Sequence, residues 1–215
     1  LKSGCELFLR YVTRAYMDYP DFGECKANLI KRGEKLAEMS LTSRSRISEL
    51  GYEFIRDGAV VLTHGRSRVV TSLLKRASKN SNFTVITTEG RPDGSGYHAA
   101  EEYINSGIPT TVILDSAMGY IMERVDIIIV GAEGVVESGG IVNKIGTCQL
   151  AMLAKAFNKP FYVAAESYKF ARFYPLSQND LPEKQDMQLK LKPCIDNYII
   201  PDSESFSIQN PSCDY

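Results

Sequence analysis

Apolar residues near the front of the chain recur at helical intervals. Leu7, Phe8, Tyr11, Val12 and Ala15 share one helical face. Pro20 closes that segment, because proline lacks the N–H a helix needs and clashes with the preceding turn. A second helical stretch covers residues 24–56. Leu29, Ile30, Gly33, Leu36 and Ala37 form its first stripe, and Ile47, Leu50, Gly51, Phe54 and Ile55 its second. Thr42, Ser43 and Ser45 lie between the stripes. Serine and threonine favour helix caps, so the pattern predicts a break there. Asp57-Gly58 then ends the helical region.

From Ala59 the period changes. Short, nearly continuous apolar runs appear at Ala59–His64, Phe83–Thr88, Thr110–Asp115, Asp126–Ala132 and Pro160–Ala165, with helical patterns near 67–79, 97–106, 117–123 and 147–157 between them. β-Branched runs without a polar alternate read as strands buried on both faces, and their alternation with helices is βαβ logic. The expectation is an α/β fold: a helical region over residues 1–57, then a doubly wound parallel sheet over residues 58–215. Ala59–Thr63, Thr84–Thr87, Thr111–Leu114, Ile127–Val130 and Phe161–Ala164 should be parallel neighbours in that sheet. Residues 174–215 hold Pro175, Pro182, Pro193, Pro201 and Pro211 among many Ser, Asp and Asn, and read as irregular with one short strand near Tyr198–Ile200. The chain opens at Leu1 inside a helical pattern and closes on this irregular stretch, so it reads as a fragment truncated at both ends.

Composition narrows the class without naming it. With 44% apolar and 24% charged residues among 215, the chain is an ordinary globular one, not collagen, a disordered chain or a disulfide miniprotein. Its longest apolar runs, such as Ile127–Ala132, fall far short of the ~20 residues a membrane helix needs. Cys5, Cys25, Cys148, Cys194 and Cys213 are odd in number and widely spaced, which reads as reduced thiols in the cytosol. Neither His64 nor His98 joins them at zinc-ligand spacing.

Charge adds an asymmetry. Residues 1–80 carry 15 basic and 9 acidic side chains, whereas residues 81–170 carry 6 and 10. A basic front half points to a negatively charged partner: nucleic acid, a phosphoprotein or an acidic subunit. Solvated helix faces account for it equally well. No basic stripe interleaved with aromatics supports nucleic acid.

Open parallel sheets bind ligands beyond the carboxyl ends of their strands. The first strand ends in Thr63-His64-Gly65-Arg66-Ser67-Arg68, the second in a stretch with Glu89, Arg91 and Gly96, and the third in Asp115-Ser116. The fourth leads to Glu133, Glu137, Asn143, Lys144 and Thr147, and the fifth to Glu166 and Lys169. Small residues at such turns let backbone N–H groups and a helix N-terminus approach an anion. Convergence of Arg66 or Arg68 with Arg91, Lys144 and Lys169, facing Glu133 and Asp115, would make a phosphate-sized pocket. Each residue also has a plain structural reading. His64 reads first as a buried, hydrogen-bonded imidazole, and Val130–Gly140 lacks the G-x-G-x-x-G spacing of dinucleotide sites.

Several long blocks together are specific. They are VLTHGRSRVV, TTEGRPDGSG, ILDSAMGYIME, VGAEGVVESGGIVNKIGT, KPFYVAAESYKF and FYPLSQNDLP. Over essentially the whole chain the sequence resembles the family of the alpha, beta and delta regulatory subunits of eukaryotic translation initiation factor 2B. GAEGVVESGGIVNKIGT and AESYKFARFYPLSQNDLP lean towards the alpha branch. The resemblance implies a helical N-terminal domain followed by a Rossmann-like one.

The same family is related to sugar-phosphate aldose–ketose isomerases, which carry a Cys after the Thr-x of the first strand end and an Asp in a GAD motif. Here Gly65 stands at the Cys position and Glu133 at the Asp position. The resemblance therefore implies lost chemistry and a surviving pocket with Gly65, Glu133, Asn143, Lys144 and Lys169, to which the strand-end reading adds Arg91 and Asp115. It needs no cofactor or metal. The implied role is a non-catalytic regulatory subunit of the guanine nucleotide exchange factor for initiation factor 2. The implied partners are the beta, gamma, delta and epsilon subunits, a second copy in a homodimer that bridges the complex, and initiation factor 2 with its phosphorylated alpha subunit. A sugar phosphate is a further candidate; direct nucleic-acid and membrane contacts are not expected. Lys31 and Lys35, four apart on the basic helical face, are the candidate contacts to the phosphorylated factor. The alternative readings are an active sugar-phosphate aldose–ketose isomerase and a non-catalytic sugar-phosphate-binding protein.

Overall fold

The computed structural model describes Leu9, residues 12–14, 21–170, 174–181 and 211–215. Of the front helical face, Leu9 and residues 12–14 are helical, and the rest lies outside the described residues, as does the strand expected near Tyr198–Ile200.

Helix α1 runs from Phe22 to Gly51 without interruption, so the predicted break at Thr42–Ser45 does not occur. Asp21 caps its start by accepting the Glu24 N–H at 2.9 Å. Two of the hydroxyls that suggested a break, and Ser48 just beyond them, turn back onto the helix itself. Thr42 donates to the Glu38 carbonyl at 2.8 Å, Ser43 to Met39, and Ser48 to Ser45 at 2.7 Å. Such back-bonding satisfies the hydroxyl mid-helix and removes the motive for a cap.

The five expected strands form one parallel sheet: β1 Val60–Thr63, β2 Thr84–Thr88, β3 Thr110–Ile113, β4 Ile127–Val130 and, after a short excursion, β7 Phe161–Val163. Their order is β3-β2-β1-β4-β7. Helices α2 Arg68–Ala77, α3 Ser95–Ile104, α4 Met118–Ile121 and α5 Thr147–Ala156 connect them. Strand residues alternate between two cores. Val61, Val85, Ile127 and Ile129 meet Val70, Leu73, Leu74 and Ala77 of α2 and Ala99 and Tyr103 of α3. Leu62, Ile86, Ile128 and Val130 meet Met118, Ile121 and Met122 together with Leu150 and Ala154 of α5. Both faces of the sheet are therefore covered, the condition that makes continuous β-branched runs favourable. α1 packs its C-terminal end on α2, with Ile47 and Tyr52 joining the first core. No described helix is long and apolar enough to cross a membrane.

A feature absent from the hydrophobic pattern is a small antiparallel sheet. β5 Gly134–Val135 pairs with β6 Ile141–Lys144, and β6 pairs with β8 Cys213–Asp214. The glycine-rich stretch after β4 is thus a hairpin. It lifts Asn143 and Lys144 above the carboxyl edge of the main sheet.

Candidate functional site

The strand order reverses direction between β1 and β4, and loops leaving there part to open a crevice. A cleft of about 1090 Å³ occupies that place. Its floor comes from the turn after β1 (His64, Arg66, Ser67, Arg68), from Asp93 and Ser95 ahead of α3, and from Gly131, Ala132 and Glu133 after β4. Asn143 and Lys144 of β6 form one wall, and Glu166, Tyr168 and Lys169 after β7 another. The roof is α1, through Gly33, Leu36, Ala37, Ser40 and Arg44. Those five positions recur every three or four residues, so one face of α1 closes the cleft. Lys31 and Lys35 are exposed and fall about half a turn away, on the opposite face.

Of the seven pocket residues predicted from sequence, Glu133, Asn143, Lys144 and Lys169 line this cleft together. Gly65 lies against the Lys144 stem; a Cβ placed there would sit 2.9 Å from the lysine Cδ. Its φ of +63° is one that side-chain-bearing residues rarely adopt. Arg91 and Asp115 are not among the lining residues. Asp115 spends both oxygens holding the loop behind the cleft, accepting the Gly90 N–H at 2.9 Å and the Arg91 N–H at 2.7 Å. The Arg91 guanidinium turns to Glu89 at 3.1 Å.

Each cleft lysine is matched to a carboxylate. Lys144 Nζ pairs with Asp93. Burial works against the Asp93 charge, but the Lys144 ammonium and the Ser95 N–H outweigh it and hold the carboxyl below its ordinary range. Lys169 Nζ lies 2.7 Å from Glu166 Oε2 and donates to the Ala132 carbonyl at 2.6 Å. Glu166 is buried, accepts the Tyr168 hydroxyl at 3.0 Å, and stands 4.0 Å from Arg44 Nε of α1. Burial again opposes its charge, and Lys169 with Tyr168 overcomes it, so this carboxyl too is held low. The Ser95 hydroxyl joins its own N–H on Asp93, and Arg44 Nε is buried at the cleft without a hydrogen-bond partner.

His64 is the buried imidazole that the sequence suggested. Its Nε2 lies 2.8 Å from the Ile145 carbonyl and its Nδ1 2.6 Å from the Thr88 hydroxyl. A carbonyl only accepts, so Nε2 donates to it. Both nitrogens are occupied in holding the β6–α5 junction to β2. Asp214 of β8 secures the same junction, accepting the N–H of Gly146 at 2.7 Å and of Cys148 at 3.0 Å. Burial pushes the Asp214 carboxyl up despite those bonds, and burial together with Asp214 pushes the Cys148 thiol up. A thiol held protonated is a poor nucleophile.

Asp93, Ser95 and Arg44 were not singled out from sequence. Asp93 sits in Pro92-Asp93-Gly94, where turn chemistry already accounts for an aspartate. Its pairing with a lysine 51 residues later has no local signature. Arg44 belongs to a helix face visible only once the roof is in place.

A doubly wound parallel sheet with a ligand-sized cleft at its switch point defines the class, an α/β protein. Its family is more particular: the chain belongs to the Initiation factor 2 subunit family, which matches residues 1–215. It is 47% identical over 219 residues to the translation initiation factor eIF2B subunit alpha of Dictyostelium discoideum, covering 100% of this chain and 68% of that protein. It is also 38% identical over 149 residues to a ribose 1,5-bisphosphate isomerase of Archaeoglobus fulgidus, covering 69% of this chain and 48% of the isomerase. The fold matches the crystal structure of translation initiation factor eIF-2B, subunit delta, from A. fulgidus, with a TM-score of 0.71 and 29% identity over 95% of this chain and 62% of that one. The chain thus spans about two-thirds of the length of its initiation-factor relative.

Proposed function

We propose that this chain serves as a non-catalytic regulatory subunit, of the alpha type, in the exchange factor that reloads initiation factor 2 with GTP. The carrying observation is the 47% identity to an eIF2B alpha subunit across the full chain. In this reading the protein works in the cytosol, pairs with a second copy, bridges the beta, gamma, delta and epsilon subunits, and helps sense initiation factor 2 phosphorylated on its alpha subunit. The helical part, residues 1–57, supplies the sensing face through Lys31 and Lys35, and residues 58–215 hold a retained pocket for a sugar phosphate. The test is the mass of the assembly formed with and without the other four subunits. A decamer with two copies of this chain supports the role, and failure to join the complex removes it.

A second reading, an active sugar-phosphate isomerase, draws on the similarity to the ribose bisphosphate enzyme. Two features oppose it. Gly65, where those enzymes are expected to hold their Cys, has no proton to shuttle, and its left-handed backbone against the Lys144 stem leaves no easy room for a thiol. Incubating the chain with ribose 1,5-bisphosphate and following the sugar by NMR decides the matter: an unchanged spectrum is expected, and conversion to the ketose would overturn the non-catalytic reading.

A further inference from the structure

The two lysines of the cleft are neutralised in different ways. Glu166, the partner of Lys169, is 4% exposed and fixed by Tyr168, with Arg44 beside it. Removing it from Lys169 would strand a buried carboxylate, which is costly. Asp93, the partner of Lys144, is 41% exposed and lies in a surface loop bounded by Gly90 at φ +70° and Gly94 at φ +65°. A rotation of its side chain carries the carboxylate into water at little cost while Lys144, 17% exposed, keeps its place against Gly65.

The ground around Lys144 is otherwise prepared for an anion. α3 begins at Ser95 with Gly94 as its cap; the Glu89 and Gly94 carbonyls take the Gly96 and Tyr97 N–H groups, which leaves the Ser95 N–H to Asp93 at 2.9 Å. The Ser95 hydroxyl also turns its hydrogen bond on Asp93. Asp93 thus takes the interactions a phosphate would take: the Lys144 ammonium, the Ser95 N–H and the Ser95 hydroxyl.

We infer that Asp93 is an internal counter-ion that occupies the anion subsite of the cleft and swings out when a phosphate group enters, making the Gly90–Gly94 loop the gate of the site and Lys144 its receptor. This rests on the retained-pocket reading above and adds its control. The subsite lies at the Lys144 end; Lys169 stays committed to Glu166. The gate also selects by charge. A phosphate displaces Asp93 because it brings more negative charge and more acceptors to Lys144 and Ser95, whereas a neutral sugar offers nothing to replace the ion pair.

Calorimetric titration of the full chain with inorganic phosphate, ribose 5-phosphate and ribose tests it. Asp93→Asn keeps the acceptor for the Ser95 N–H and removes the competing charge, so phosphate and ribose 5-phosphate should bind roughly fivefold tighter, the size of one partly exposed ion pair. Ribose affinity should not change. In a Lys144→Met background the Asp93→Asn gain should vanish, because the gate acts through that lysine. Equal or weaker phosphate binding by Asp93→Asn, or a gain that survives Lys144→Met, overturns the gate and leaves the pocket standing. No binding of either phosphate by any variant overturns the pocket and the gate with it. Should Asp93→Asn fail to fold, Asp93→Ser, whose hydroxyl accepts the same N–H, carries the test.

Discussion

Glu166 joins three segments: Arg44 of α1, Tyr168 and Lys169 after β7, and through Lys169 the Ala132 carbonyl after β4. Its folded-state carboxyl is held low, so its contribution to stability is present above the unfolded carboxylate pKa and fades as pH falls through the folded value. Glu166→Gln should therefore cost about 2 kcal/mol at pH 7, since two cations lose a buried partner, and progressively less as pH falls below the unfolded carboxylate pKa. Urea melts of both proteins across a falling pH series check this, and a penalty independent of pH would make the effect one of packing. Gly65 gives a second residue-scale expectation. Gly65→Cys, which restores the isomerase-like side chain, should destabilise by about 1–2 kcal/mol because an L-residue is placed in left-handed backbone. Thermal melts measure the loss. A neutral result would mean the turn relaxes easily and would weaken the geometric case against a thiol there.

At the scale of elements, the sign of one conservative mutation distinguishes an unbroken α1 from two capped helices. Thr42→Ala should stabilise by about 0.5 kcal/mol, since alanine is the better residue inside a helix. Were Thr42 a cap, the same change would cost about 1 kcal/mol. Chemical denaturation reads the sign directly. The elements differ in how openly they were written. The five strands were legible because each buries both faces, which forces runs such as Ile127–Val130, and because helical periods separate them. α1 was misjudged at its middle because Thr and Ser signal caps by type, while their back-bonding to Glu38 and Met39 depends on a helix already formed. The β5–β6 hairpin was hidden because Gly134-Val135 and Ile141–Lys144 are short, glycine-flanked and half-buried, so neither period appears. The cleft followed the same division. Glu133, Asn143, Lys144 and Lys169 sit at strand ends, where topology alone places ligands. Asp93 and Arg44 act through partners far off in sequence, and those pairings exist only in three dimensions.

The whole molecule places two surfaces on one helix. Gly33, Leu36, Ala37, Ser40 and Arg44 roof the cleft, and Lys31 and Lys35 face away from it, both exposed. The helix that roofs the cleft with one face presents both lysines on its far side. A phosphoserine brings about −1.5 to −2 charges, and a well-formed charge-assisted contact to it contributes roughly 1.5–3 kcal/mol. On the proposed role, Lys31→Glu/Lys35→Glu should weaken binding of phosphorylated initiation factor 2 by about tenfold or more, and binding of the unphosphorylated factor far less. The measurement is nucleotide-exchange rate by the full assembly against rising phosphorylated factor, with the double variant beside the unmodified chain. The inhibition curve should move to higher concentration while exchange without phosphorylated factor stays the same. An unmoved curve takes this face out of the sensing surface. Loss of exchange even without the phosphorylated factor would instead place Lys31 and Lys35 at a subunit contact, because reversing two outward charges on α1 disturbs neither the cleft beneath it nor the two cores of the sheet.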